Sequence, residues 1–235
     1  MTAPTTDEAH EGPADKGRTP GGAAGHNAAM TDHLRSAPSP DFLDKPALSG
    51  ERVLLRAVTV DDVPALMPMF RDAEASRLTG SHDDGEPDEA RIRTWYATRR
   101  DQDDRLDLAV VERETGNVVG EAVLNEWDPD NESCSFRISL VPGAFGRGLG
   151  TEATRLLVGH GFEKLGLHRV SLEVYAFNPR ARRVYEKVGF VAEGVLRDAL
   201  LWEGERVDAT VMSILAPEWF QHRGRPETVG HHLPV

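Results

Sequence analysis

"SCSFRISLVPGAFGRGLGTEATRLLVGHGF", residues 133–162, contains a strand, a glycine-rich turn and a helix in one run. Cys134, Phe136, Ile138 and Leu140 alternate with Ser133, Ser135, Arg137 and Ser139, the period of a half-buried strand. The period then changes. Leu149, Ala153, Leu156, Leu157 and Leu165 fall near one face of a helix over about 149–165, and Gly166 is a suitable stop. Between the two lies "VPGAFGRGLGTEA", residues 141–153, with four glycines, Pro142 and one arginine, Arg147. A strand entering a helix through such a turn directs backbone N–H groups and the positive helix end at an anion. Gly146, Gly148 and Gly150 leave no side chain in the way, and Arg147 adds a charge suited to phosphate.

Two nucleotide-binding patterns compete for this turn. A phosphate-binding loop of the Walker kind needs Gly-Lys-Ser/Thr, which the chain lacks here. The dinucleotide fingerprint is nearly met, because residues 148–153 read G-x-G-x-x-A and Glu173 follows at about the right distance. An NAD(P)-dependent oxidoreductase is therefore one reading. The flanking elements oppose it, since that fingerprint normally opens a parallel sheet and here antiparallel strands come first.

Working outward toward the N-terminus, "ERVLLRAV" (51–58) reads as a strand. "TVDDVPALMPMF" reads as a helix with Thr59 and Asp62 in capping-box spacing. "EARIRTWYATRR" is a further helix, and "LDLAVVERE" and "NVVGEAVLNEW" are strands joined at Thr115-Gly116-Asn117. Toward the C-terminus, "HRVSLEVYAF" is a strand, and Asn178-Pro179 gives a cap and first turn for a helix. That helix carries Ala181, Val184, Tyr185 and Val188 as an apolar stripe and ends at Gly189. "EGVLRDALLW" and "RVDATVMSIL" flank Glu203-Gly204-Glu205 as a hairpin. The order predicts a mixed α/β domain with an antiparallel front half and a βαβ-like centre. Residues 1–45 have no apolar periodicity and read as a disordered tail, leaving a folded domain at 46–216 and a second tail at 217–235.

Composition excludes several classes. A net charge of -12 disfavours nucleic acid and suits an amine-bearing partner. No apolar run reaches the ~18–20 residues of a membrane span, and no secretory leader is visible, so no membrane partner and a cytoplasmic location are expected. The single cysteine, Cys134, allows no internal disulfide. His160 and His168 are isolated and His231-His232 lies near the end, so no metal is expected. Asp83, Asp84, Glu86, Asp88 and Glu89 form an acidic connection that either attracts a cationic amine or is a solvated loop.

"RISLVPGAFGRGLGTEATRLLVGHGF" followed by "HRVSLEVYAFNPRARRVYEKVGF" resembles the GNAT superfamily of acyl-CoA-dependent N-acetyltransferases, and most nearly its ribosomal-protein and polyamine branch. The resemblance spans roughly residues 50–215 and is most specific at Gly146–Gly150 and at Asn178…Tyr185–Phe190. Phe145 stands where the superfamily usually has Gln or Arg, and Ala181 stands where Ser is frequent. The resemblance implies an α+β fold with a splayed, mostly antiparallel sheet of six to seven strands flanked by helices. It implies acetyl-CoA as co-substrate between the fourth and fifth strands, with the pantetheine on the backbone around Ile138, Leu140 and Val141. The pyrophosphate would sit on Phe145, Gly146, Arg147, Gly148, Leu149, Gly150 and Thr151, with Asn178, Arg182 and Tyr185 as further contacts.

The implied activity is transfer of acetyl to a primary amine by direct attack. A protonated amine must lose its proton before it attacks, and the departing thiolate benefits from a donor. The resemblance assigns Glu173 as base and Tyr185 as acid, with Glu121 the main competitor because it interrupts an apolar run. The acceptor would bind between the first two helices and the last hairpin, near Trp202 and Glu203, and homodimers are common in the branch that the chain resembles. The rival readings are an acyl-CoA-binding sensor without turnover and the oxidoreductase.

Overall fold

The computed structural model describes residues 40–82 and 85–223. The first half of the sheet is built by antiparallel pairing of neighbours. The two-residue β1 (Leu48–Ser49) edges β2 (Val53–Ala57), which pairs with β3 (Leu106–Glu112), then β4 (Val118–Asp128), then β5 (Ser133–Leu140). Every residue of β3 is buried, as expected of a strand covered on both faces.

Next the chain crosses over through α4 (Leu149–Glu163) and returns parallel as β6 (Arg169–Tyr175). A parallel neighbour needs such a crossover, and α4 supplies it by burying Leu149, Ala153, Leu157 and Phe162 against the sheet. The chain continues through α5 (Pro179–Val188) into the hairpin of β7 (Val191–Trp202) and β8 (Glu205–Leu215). β8 lies against β6, so β7 forms the far edge and the order is β1-β2-β3-β4-β5-β6-β8-β7. Among the described residues the sheet thus has eight strands, the two-residue β1 being one that no alternation marks.

Two apolar cores form on opposite faces. One packs α4, α5 and α6 (Ala216–His222) on Leu108, Val110, Ala122 and Leu124. The other packs α1 (Val63–Arg71) and α3 (Glu89–Ala97) on Ala109 and Val118. A further helix, α2 (Ala73–Thr79), starts where Asp72 accepts the amide of Ala75 at 2.7 Å and stops at left-handed Gly80. "RDAEASRLTG" carries both signals, yet its few apolar residues hide a helix of only two turns.

The domain is wider than the expected 46–216. Phe42 is 1% exposed and its ring lies 5.5 Å from that of Trp127. The ammonium of Lys45 donates to the carbonyls of Phe42, Gln102 and Arg105 at 2.5, 2.6 and 2.8 Å. At the other end α6 buries Trp219, whose indole donates to Glu163 at 2.9 Å. Each anchor is one buried aromatic beside an exposed apolar residue, Leu43 or Phe220, which leaves no periodicity to read. Residues 1–39 and 224–235 of the expected tails, and Asp83 and Asp84 of the acidic connection, lie outside the described residues.

One departure from regular pairing decides where the site lies. β5 and β6 pair only at Ser133–Ser135 with Arg169–Ser171. From Phe136 and Leu172 onward the two strands have no partner in each other, and the sheet is open between them.

Candidate active site

The opening is a cavity of about 500 Å³. Its strand walls are Phe136, Ile138 and Leu140 of β5 and Glu173, Val174 and Tyr175 of β6. Register assigns these side chains to faces. Glu121 pairs with Ser139, Val123 with Arg137, and Ser135 with Ser171. Paired residues share a face and the side-chain period is two. Glu121, Arg137, Ser139, Glu173 and Tyr175 therefore belong to the face of α1–α3, and Phe136, Ile138, Leu140 and Val174 to the face of α4 and α5.

On the α4 side, Gly146 and Gly148 have φ of 73° and 82°, and Gly148 caps α4 without any side-chain cap bond. The first-turn amides of α4 thus have no partner within the helix. Phe145, Gly146, Gly148, Gly150 and Thr151 line the cavity. Asn178 lines it too while its side chain accepts the amide of Ala181 at 3.0 Å, capping α5. Tyr185 is 7% exposed and edge-on to Phe136 at 6.3 Å. Burial pushes its phenol up to about 12, so it holds its proton across the neutral range.

Two expected side-chain contacts, those of Arg147 and Arg182, are corrected by this geometry. Arg147 lies outside the cavity, on the far side of its loop, and pairs with the buried carboxylate of Glu112. That carboxylate needs a cation, and Arg52 fixes the turn by donating to the carbonyl of Arg147 at 3.0 Å. Leu149 packs its side chain in the core at 2% exposure, and the contact expected of it is that of its first-turn amide. Val141 has its amide on Val119, so that amide is not left for a ligand, while its carbonyl accepts Ala144 and keeps a second lone pair. Arg182 reaches one turn along α5 to Glu186 at 2.9 Å, and Arg180 and Arg183 line the cavity in its stead. Arg180 lies 4.1 Å above the ring of Phe145 and 3.6 Å from Glu74, a contact that no local pattern announces.

On the α1–α3 side, Glu173 is exposed at the cavity, while Ala75, Leu78 and Thr79 of α2 form the opposite wall. Glu121 also lines the cavity yet is 5% exposed. It accepts the hydroxyl of Tyr96 at 2.5 Å and lies 3.4 Å from Arg137. Burial raises its pKa above the usual carboxylate range, against the opposing pull of Arg137 and Tyr96. The described members of the acidic connection are committed locally. Glu86 pairs with Arg71 at 2.8 Å, Glu89 with Arg93 at 2.9 Å, and Asp88 caps α3. Near them His82 stacks on Trp202 at 5.4 Å, drawing the β7–β8 hairpin to the end of α2.

An open sheet with uncapped amides at one mouth fits an extended ligand that ends in an anion. Residues 52–191, more than half of the chain, match the model of the acetyltransferase (GNAT) domain. The chain belongs to the GNAT acetyltransferase family. This GNAT protein is 26% identical over 174 residues to the uncharacterized N-acetyltransferase YoaA of Bacillus subtilis, covering 73% of this chain and 98% of that one. It is 32% identical over 110 residues to the spermidine N(1)-acetyltransferase of Vibrio cholerae, 47% of this chain and 64% of that one. Its fold matches the crystal structure of spermidine N-acetyltransferase from Vibrio cholerae in complex with CoA and spermine. There the TM-score is 0.67 at 22% identity, over 73% of this chain and 99% of that one. The GNAT chain is an acetyl-CoA-dependent N-acetyltransferase. Among the described residues no group of His, Cys, Asp and Glu is arranged to hold a metal, and no helix is long and apolar enough to cross a membrane.

Proposed function

We propose that the enzyme acetylates a primary amine that is cationic in solution, with Glu173 as base and Tyr185 as acid. The observation that carries this reading is their placement on opposite faces of the opening between β5 and β6. Acetyl-CoA supplies the acetyl thioester. The β5 edge at Ile138 and Leu140, the amides from Phe145 to Thr151 and Asn178 would hold it on the α4 side. An acceptor entering past α2 meets Glu173, which takes the ammonium proton directly or through water. Tyr185 gives its proton to the departing thiolate on the other side. The spermidine acetyltransferases among the relatives support a cationic acceptor.

The test is release of free thiol from acetyl-CoA across a panel of polyamines, peptide N-termini, amino sugars and amino acids. Cys134 is buried, with its thiol pushed up to about 12, and does not add to the signal. Glu173→Gln and Tyr185→Phe should each lower turnover while acetyl-CoA binding is kept. Wild-type rates in both variants would remove the assignment. Tight binding with no thiol release for any amine would favour the sensor, and thermal stabilisation by NAD(P) but not by acetyl-CoA the oxidoreductase. We place the enzyme in the cytoplasm as a homodimer. The exposed Val191, Val195, Leu196 and Leu201 of β7 supply an apolar surface for a second copy, and light scattering checks it.

A further inference from the structure

Glu121 has no part in the proton transfers above, yet it is a buried carboxylate in the wall of the acceptor side of the cavity. Its surroundings give it one hydrogen bond and one loosely held cation. One oxygen takes the hydroxyl of Tyr96, a neutral donor that is itself 1% exposed on α3. The other faces Arg137 at 3.4 Å. Arg137 is half exposed and shared, lying 3.9 Å from Asp107 and 5.9 Å from the ring of Trp95. Asp107 has its own bidentate partner in Arg105, at 2.7 and 2.8 Å, which leaves Arg137 as the cation of Glu121, half exposed and at 3.4 Å farther than a good charge-assisted hydrogen bond. Removing a carboxylate from water is costly unless a cation and hydrogen-bond donors replace the solvent. An alkylammonium carries both, with up to three N–H donors on a compact charge, whereas a neutral arylamine or a hydroxyl carries no charge.

We infer that Glu121 receives the cationic amino group of the acceptor before transfer, and that Tyr96 is its positioning residue. This rests on the acetyl-transfer reading, with Glu173 left to take the proton. It gives the enzyme a preference for acceptors that are charged at neutral pH. Tyr96 holds one carboxylate oxygen, which fixes the carboxylate in the cavity wall with the other oxygen beside Arg137. The groups facing Glu121 are Tyr96 from α3, Arg137 from β5, Asp107 from β3 and Arg105 just before it, and Glu173 shares its face across the opening.

The experiment uses the full chain with CoA bound and reads amine binding by calorimetry, so it does not depend on turnover. The probes are 1,4-diaminobutane and aniline. Glu121→Gln keeps the size of the side chain and is expected to weaken diaminobutane binding by about 10- to 100-fold, with CoA binding kept. In turnover the preference for diaminobutane over aniline, as a ratio of kcat/KM, should fall in step. Tyr96→Phe removes a donor that favours the charged carboxylate, so the acid limb of kcat/KM for diaminobutane should move to higher pH. Merely loosened packing would lower the whole profile without moving its limb.

If Glu121→Gln also loses CoA binding, Glu121→Asp decides, because it keeps the charge but withdraws it by one methylene. It should weaken diaminobutane binding with CoA binding intact. Unchanged amine binding and an unchanged ratio in a variant that binds CoA overturn the inference. Glu121-dependent amine binding without thiol release from any amine would leave it standing and sink the acetyl-transfer reading.

Discussion

Tyr185 sits on an apolar helical stripe, and packing alone would account for a tyrosine there. What separates the two roles is the cavity wall that its side chain helps to form. Tyr185→Phe keeps the ring against Phe136 and removes only the hydroxyl. We expect kcat to fall about 100-fold or more, with the KM for acetyl-CoA nearly unchanged. The phenol is raised to about 12, and an acid is lost only as pH rises through its pKa. The rate should therefore show no alkaline limb from Tyr185 at ordinary assay pH, and a pH–rate profile checks this. Glu121 was visible in the sequence as a charge inside an apolar run. Its donor was not, because Tyr96 lies 25 residues earlier on a helix with little apolar pattern. Arg147 shows the converse, since its partner Glu112 is 35 residues away and no spacing rule connects them.

At the scale of elements, the glycine turn and α4 form one unit. Gly148 is left-handed, and a Cβ on it would meet Arg52 Nη1 at 2.7 Å. Gly148→Ala should cost about 1–2 kcal/mol in strain and raise the KM for acetyl-CoA. A thermal melt and a substrate titration read the two effects separately. Arg147→Ala should do the reverse, leaving that KM within about twofold while lowering stability by about 1–3 kcal/mol, because buried Glu112 loses its cation. A large rise in KM would restore Arg147 to the phosphate side. Strands such as β5 were legible because alternation is local. The eighth strand, β1, and helix α2 were not, since each is short and held by its neighbours instead of by its own pattern.

For the whole molecule, order of elements and two separated motifs were enough to read the α+β plan, whereas its limits were not. Phe42 and Trp219 close the large core from outside the stretch with periodic sequence. Phe42→Ala should cost about 3–5 kcal/mol, a fall in Tm on the order of 10 °C. Trimming the chain to residues 46–216 removes both aromatics and should be more damaging still. Circular dichroism melts of the two proteins test this.

The three-residue pairing of β5 with β6 also bears on the lifetime of the protein in a cell. Strand edges left open between them expose backbone groups to solvent, and a carrier bound there converts binding energy into resistance to opening. A ligand at a hundred times its Kd adds about 2.7 kcal/mol. Without acetyl-CoA the molecule should be cut faster by proteases, and limited proteolysis with and without the carrier checks it.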